Sequence, residues 1–216
     1  MKRTKTILCY GDSNTHGYNP QGGGRFPREV RWTGCLQKLL GDLYEVVEEG
    51  CNGRTTMYGE ADDWINGMLY LRPCLYSHRT VDYMILMLGT NDLKNKYLAS
   101  AEKIGEGVEA LVKESISFLK EHQSFSPKII LIAPPVLGED MPNSCFADEF
   151  DAESVAKSYR LAEIYEQIAK KYQCAFLNAA MFAPVSSADS LHLSAESHAA
   201  FASSVYECII NLEKII

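Results

Sequence analysis

An α/β fold built on a parallel sheet follows from three features of this 216-residue sequence. Short, dense apolar runs recur along the chain. Stretches with helical periodicity separate them, and Gly, Pro or Asn bounds the runs. Strands covered by helices on both faces carry continuous apolar residues rather than an alternating pattern. Strand and helix in regular alternation place those strands in parallel, with helices on both sides of the sheet.

The elements read in order as follows. TILCY (6–10) is the first strand and runs into the polar turn Gly11-Asp12-Ser13. Residues 31–41 set Trp32, Cys35, Leu36, Leu39 and Leu40 on one helical stripe that stops at Gly41. YEVVEEG (44–50) is a weaker strand with paired valines, and YMILMLG (83–89) is a strong one. A helix over 99–122 brings Ile104, Val108, Leu111, Val112, Ile116 and Leu119 to one face. KIILIAP (128–134) is the next strand. Residues 151–172 repeat the helical pattern through Val155, Tyr159, Ala162, Tyr165, Ile168 and Tyr172. CAFLNA (174–179) is the last strand, and a final helix spans about 195–215. No internal repeat, low-complexity tract or linker interrupts the series, which predicts one domain over 1–216. Two connections, 18–30 and 134–154, are long for an α/β fold, and such loops commonly bind ligands or act as lids.

Composition narrows the function. The net charge of −7 disfavours a nucleic-acid partner, which needs a basic face, and disfavours docking on anionic membranes. Seven cysteines stand as single residues with no CxxC pair. That suits reduced thiols in a cytoplasm better than a secreted disulfide framework. Cys9, Cys35, Cys174 and Cys208 sit among apolar neighbours and read as small core residues. The apolar run after Lys2, Arg3 and Lys5 is too short for a signal-peptide core, and no stretch has the length of a membrane span.

The chemistry lies just past the strands. Gly11-Asp12-Ser13 follows the first, Gly50-Cys51-Asn52-Gly53-Arg54 the second and Gly89-Thr90-Asn91-Asp92 the third. Asp189-Ser190-Leu191-His192 follows the fifth. A parallel sheet gathers all these ends along one edge, where open α/β sheets bind their ligands. Together they supply the parts of an acyl-transfer site. The hydroxyl of Ser13 needs a base, and His192 is the candidate. Asp189, three residues earlier, is placed to orient the imidazole. The backbone N–H groups of Ser13 and Gly53 and the side-chain amide of Asn91 are candidate donors to an oxyanion. Taken alone, Ser13 reads as a turn or cap residue; beside the other three clusters it reads as a nucleophile. Asp12 and Asp92 read as braces of their turns, the latter pairing with a donor such as Arg54. Glu48 and Glu49 read as a solvated rim, with an inward turn of Glu49 toward Arg54 as the alternative. Gly22-Gly23-Gly24 lacks the residues of a phosphate cradle and reads as a flexible loop. Among the other histidines, His122 and His198 read as solvent-facing and His78 as a helix end.

GDSNT, the Gly53 turn, GTND and DSLH resemble, in order and approximate spacing, the four blocks of the SGNH (GDSL-type) hydrolases. The stretches RWTG, EEGCNGRTT and LMLGTND resemble a narrower branch of small arylesterases and acyltransferases. The resemblance implies a three-layer α/β/α, flavodoxin-like fold with a five-stranded parallel sheet. It also implies a serine esterase that uses no cofactor and no metal. Asn14 stands where the family name expects leucine, and His16 where that branch often has an aromatic residue; both are expected at the pocket mouth with Asn52. Met141, Phe146 and Phe150 of the 134–154 loop suggest an apolar, partly covered pocket for a short acyl group. The expected reaction is hydrolysis of a short-chain, acetyl-like ester of a small molecule, with transfer of the acyl group to alcohols beside it.

The alternatives are a carbohydrate O-acetylesterase and a lysophospholipase or thioesterase. Outside the esterases stand a metal-dependent phosphoesterase, for which ligand spacing such as Asp-x-His is missing, and a non-catalytic binding module. The apolar end CIINLEKII, together with oligomers in the resembling branch, favours a homo-oligomer.

Overall fold

The computed structural model describes residues 3–59 and 64–214. Five parallel strands form one sheet in the order β2-β1-β3-β4-β5. They are β1 (Lys5–Gly11), β2 (Tyr44–Gly50), β3 (Tyr83–Met87), β4 (Lys128–Ala133) and β5 (Ala175–Asn178). The helices are α1 (Ser13–His16), α2 (Trp32–Leu40), α3 (Gly67–His78), α4 (Ala101–His122), α5 (Ala152–Tyr172) and α6 (Ala195–Lys214). This is the flavodoxin-like order, whose chain reverses direction of travel between β1 and β3.

Each central strand is buried on both faces, so its residues divide by parity. Leu8, Tyr10, Met84, Leu86, Ile129 and Leu131 face the layer of α3, α4 and α5. Ile7, Cys9, Tyr83, Ile85, Ile130 and Ile132 face α2 and α6. A shift of one residue in any of these strands would exchange the two sets.

The longer helices start at side-chain caps. Ser100 accepts from the backbone of Lys103, and Asp151 and Ser154 form a reciprocal box. The described elements match the sequence expectations except in three respects. Helix α3 has no predicted counterpart beyond His78 as its end, because Pro73 lies inside it and its apolar stripe is narrow. Leu39 and Tyr159 are exposed rather than buried on their stripes. Of the four cysteines read as core, only Cys9 is fully buried; Cys35, Cys174 and Cys208 are partly so, and all seven are free thiols.

Candidate active site

The turn after β1 presents Ser13. Asp12 caps the single-turn helix α1, accepting from the Asn14 backbone N–H at 2.9 Å, and Gly17 ends it in the left-handed region at φ 83°. Helix α1 lies against the end of β2, and a Cβ on Gly50 would collide with the His16 backbone nitrogen. That position therefore has to be glycine.

The loop before α6 brings His192 to the serine. One oxygen of the Asp189 carboxylate accepts from the backbone N–H groups of Leu191 and His192, both at 3.0 Å. The other lies 2.7 Å from His192 Nδ1, while His192 Nε2 lies 2.9 Å from Ser13 Oγ. All three side chains are buried. Burial opposes the charge on Asp189, but the bonds from His192 and Leu191 outweigh it and hold the carboxyl below its ordinary value. An ionised Asp189 accepts only, so Nδ1 carries the ring proton and Nε2 offers its lone pair to the serine hydroxyl.

Asn14 and Gly138 join this loop to its surroundings. Asn14 Oδ1 accepts from the Leu193 backbone at 2.9 Å, and Asn14 Nδ2 reaches the Leu191 carbonyl at 3.5 Å. The Gly138 N–H donates to the Ser190 carbonyl at 2.8 Å, tying in the loop between β4 and α5.

Three donors surround the serine. The Ser13 N–H opens a helix, and neither it nor the Gly53 N–H donates to another backbone group among the described residues. Gly53 adopts φ 80°, a conformation that a side chain disfavours. Asn91, just past β3, gives one amide N–H to the Arg54 carbonyl at 3.2 Å and keeps the other. Arg54 is buried, donating to the Gly11 and Glu49 carbonyls with its guanidinium 4.3 Å from the Tyr10 ring centre. The expected Asp92–Arg54 pair does not form. Asp92 instead accepts from the backbone N–H of Thr56, at 3.0 and 3.1 Å, and from its hydroxyl. Burial pushes the Asp92 carboxyl up to about 7 against those bonds, and the Asp12 carboxyl up to about 6.

A hollow of about 120 Å³ opens on the serine, lined by Ser13, Gly53, Asn91 and His192. Of the six residues expected at the pocket, Asn52, Phe146 and Phe150 line it, with the Phe146 ring edge-on to His192 at 5.5 Å, and Met141 is not among its walls. Asn14 and His16 do not line it. Asn14 is turned into the protein to bond the histidine loop, and His16 ends α1 against Gly50. Tyr18, Lys94 and Glu149 also line the hollow without having been singled out, although Tyr18 and Glu149 lie in the two long loops. Tyr18 packs on the His192 ring at 4.3 Å, and Lys94 pairs with Glu149 at 2.6 Å. A larger hollow, about 390 Å³ and lined by Lys128, Cys174 and Ala175, lies at the opposite ends of the strands, away from this chemistry.

The remaining polar residues depart from their expected places. His198 is fully buried and accepts from the Trp32 backbone N–H at 3.2 Å, capping α2. Burial, with the nearby His192 and Arg31, pushes its imidazole down to about 4. His122 stacks on Phe118 at 4.1 Å. Glu48 pairs with Arg31 and Arg25, and Glu49 with His78, so neither is a solvated rim.

A parallel sheet with an Asp–His–Ser hydrogen-bonded chain at its carboxyl edge is the architecture of the serine ester hydrolases. The model of the GDSL-like lipase/acylhydrolase family matches residues 9–200. The chain belongs to that family, and it is an ester-hydrolysing enzyme. Among solved structures, a carbohydrate acetylesterase from Sinorhizobium meliloti superposes with a TM-score of 0.90 at 32% identity, over 96% of this chain and 99% of that one. The aryl esterase of M. smegmatis superposes with a TM-score of 0.89 at 32% identity and the same coverage. A lipase/acylhydrolase from Enterococcus faecalis, 18% identical over 95% of each chain, shares the fold at a TM-score of 0.68. No curated protein matches the sequence. Among the described residues, no helix is long and apolar enough to cross a membrane.

Proposed function

We propose that the protein hydrolyses short-chain esters, acetyl esters foremost, through an acyl-enzyme on Ser13. The chain of bonds from Asp189 through His192 to Ser13, opening on a hollow of about 120 Å³, carries the reading. His192 takes the Ser13 proton as Oγ attacks the ester carbonyl. The N–H groups of Ser13, Gly53 and Asn91 receive the oxyanion, and Asp189 stabilises the imidazolium. The tetrahedral adduct collapses as His192 returns the proton to the departing alcohol. Water, activated by the same imidazole, then releases the acid. Where an alcohol occupies the hollow in place of water, the product is a new ester. The sequence supports this step through the apolar Phe146 and Phe150 at the site.

The test is a series of p-nitrophenyl esters from acetate to octanoate, run with wild type and Ser13→Ala. We expect kcat/KM to fall steeply with chain length and Ser13→Ala to lose nearly all turnover. Equal activity on acetate and octanoate would overturn the short-acyl assignment, and an active Ser13→Ala would overturn the nucleophile.

The Lys94–Glu149 pair favours one narrower reading. A lysine already neutralised by a carboxylate offers donors and acceptors to hydroxyl groups without favouring an anion, which suits the alcohol part of an acetylated sugar. A sugar acetate turned over no better than ethyl acetate would remove that reading and leave the esterase assignment in place.

A further inference from the structure

A second cluster of reactive side chains lies behind the Gly53 turn. Cys74 and His78 are four residues apart on one face of α3, and Glu49 approaches them from the end of β2. The Glu49 carboxylate, the Cys74 sulfur and a His78 ring nitrogen all lie within 4.8 Å of one another. His78 Nε2 and Glu49 Oε1 are 2.8 Å apart. Cys74 is fully buried, and its sulfur makes no hydrogen bond among the described residues. Glu49 and His78 retain 19% and 30% of their side-chain exposure, so the cluster can be reached from solvent.

We propose that Glu49, Cys74 and His78 bind one zinc ion, with a water molecule as the fourth ligand. Thiolate, imidazole and carboxylate are the three donor types zinc accepts, and a soft sulfur ligand disfavours magnesium and calcium. Bond lengths of about 2.0–2.3 Å in a tetrahedral shell put the ligand atoms about 3.3–3.6 Å apart. The present spacings, 2.8 Å between His78 and Glu49 and at most 4.8 Å across the cluster, bracket that range. Charge also balances. Glu49 and the Cys74 thiolate together cancel the dication, so Arg54, the cation facing the cluster beside Tyr10 and Tyr70, meets a neutral complex.

Binding exchanges a proton for the metal. The S–H bond breaks as the Zn–S bond forms, and the proton leaves to solvent. His78 ligates through Nε2, with its ring proton on Nδ1. Burial, aided by Glu49 and opposed by Arg54, pushes the Cys74 thiol up to about 12. The ion would join α3 to β2 four residues before Gly53, and it has no part in the ester chemistry.

The experiment uses the whole protein, freed of metal by chelation and dialysis. Zinc chloride is titrated by calorimetry, and cobalt(II) by absorbance. We expect one equivalent of zinc, a raised Tm, and a cobalt–thiolate charge-transfer band in the near ultraviolet. Cys74→Ala should abolish the band, and His78→Gln should weaken zinc binding at least tenfold. Both variants are first shown to be folded by their metal-free melts, and His78→Gln alone carries the test should Cys74→Ala fail to fold. The band excludes binding at His192, which has no thiol beside it. No stoichiometric zinc, a band that survives Cys74→Ala, or zinc binding unchanged in His78→Gln would overturn the proposal.

Discussion

Replacing Asp189 by Asn isolates what the carboxylate contributes. The Asn side-chain oxygen can keep both backbone bonds that Asp189 makes, to Leu191 and His192 at 3.0 Å. The amide NH2 then takes the place of the oxygen that lies 2.7 Å from His192 Nδ1. Two donors would face each other, so the ring proton moves to Nε2 and Nδ1 becomes the acceptor. Nε2 then donates to Ser13 Oγ, 2.9 Å away, and cannot take its proton. Loss of the base in the correct tautomer costs about 10⁴ in kcat in triads of this geometry, or about 5.5 kcal/mol of transition-state stabilisation. The fold should persist, because the loop keeps its backbone bonds. The assay is p-nitrophenyl acetate hydrolysis with active-site titration, so that turnover is counted per competent serine. We expect kcat to fall by about 10³–10⁵ with little change in KM. A fall of less than about tenfold would show that His192 is oriented by something other than Asp189, and the reasoning would fail.

Three further outcomes follow from buried polar groups. Asn14→Ala should leave the Leu193 N–H buried and unpaired, costing about 1–3 kcal/mol in urea unfolding, and should lower kcat more than it changes KM. The Asp92 carboxyl, held up to about 7 mainly by burial, contributes stability that is fully present below its ordinary value of 3.8 and is lost as pH rises through about 7. Between about pH 5 and about pH 8 the urea midpoint of the wild type should therefore fall more than that of Asp92→Asn. His198 shows the opposite trend. Its imidazole is held down to about 4, so its contribution is present above the ordinary 6.5 and lost as pH falls through about 4. His198→Ala should cost about 1–3 kcal/mol near neutrality, through the uncapped Trp32 N–H, and the difference from wild type should shrink in acid.

The fold was legible because its two decisive signals are local. Runs such as YMILMLG can be buried only as covered strands, and the intervening helical stripes fix the parallel connection. The four polar clusters were legible for the same reason: a parallel sheet puts every strand end on one edge. What lay beyond reach was side-chain direction. Asn14 follows Ser13, yet it points at the Leu193 backbone, because a loop 179 residues away presents an N–H there. His198 has the spacing of the buried stripe Phe201, Ala202, Val205 and Ile209, yet only the packing of α2 against α6 shows that it caps Trp32. Helix α3 was missed because Pro73 breaks the local signal, while packing against α4 sustains the element.

The site is held in two different ways, and the difference bears on which parts are rigid. Ser13, Gly53 and Asn91 each follow a strand directly, so the sheet positions them through short backbone paths. The histidine loop has no such support. It lies some ten residues beyond β5, and Ser190 within it takes a left-handed φ of 60°, a conformation costing about 1 kcal/mol or more for a residue with a side chain. Its position rests on bonds from outside: Asn14 below, Gly138 beside, and the Tyr18 ring against the imidazole. Gly138 has no room for a Cβ against Ser190, so the two loops meet backbone to backbone. The N–H groups proposed to receive the oxyanion are thus fixed by the fold itself. His192 is fixed by its neighbours, and two of them, Gly138 and Tyr18, belong to loops that line the hollow. The walls of the hollow and the orientation of the imidazole therefore share a structural origin in this protein.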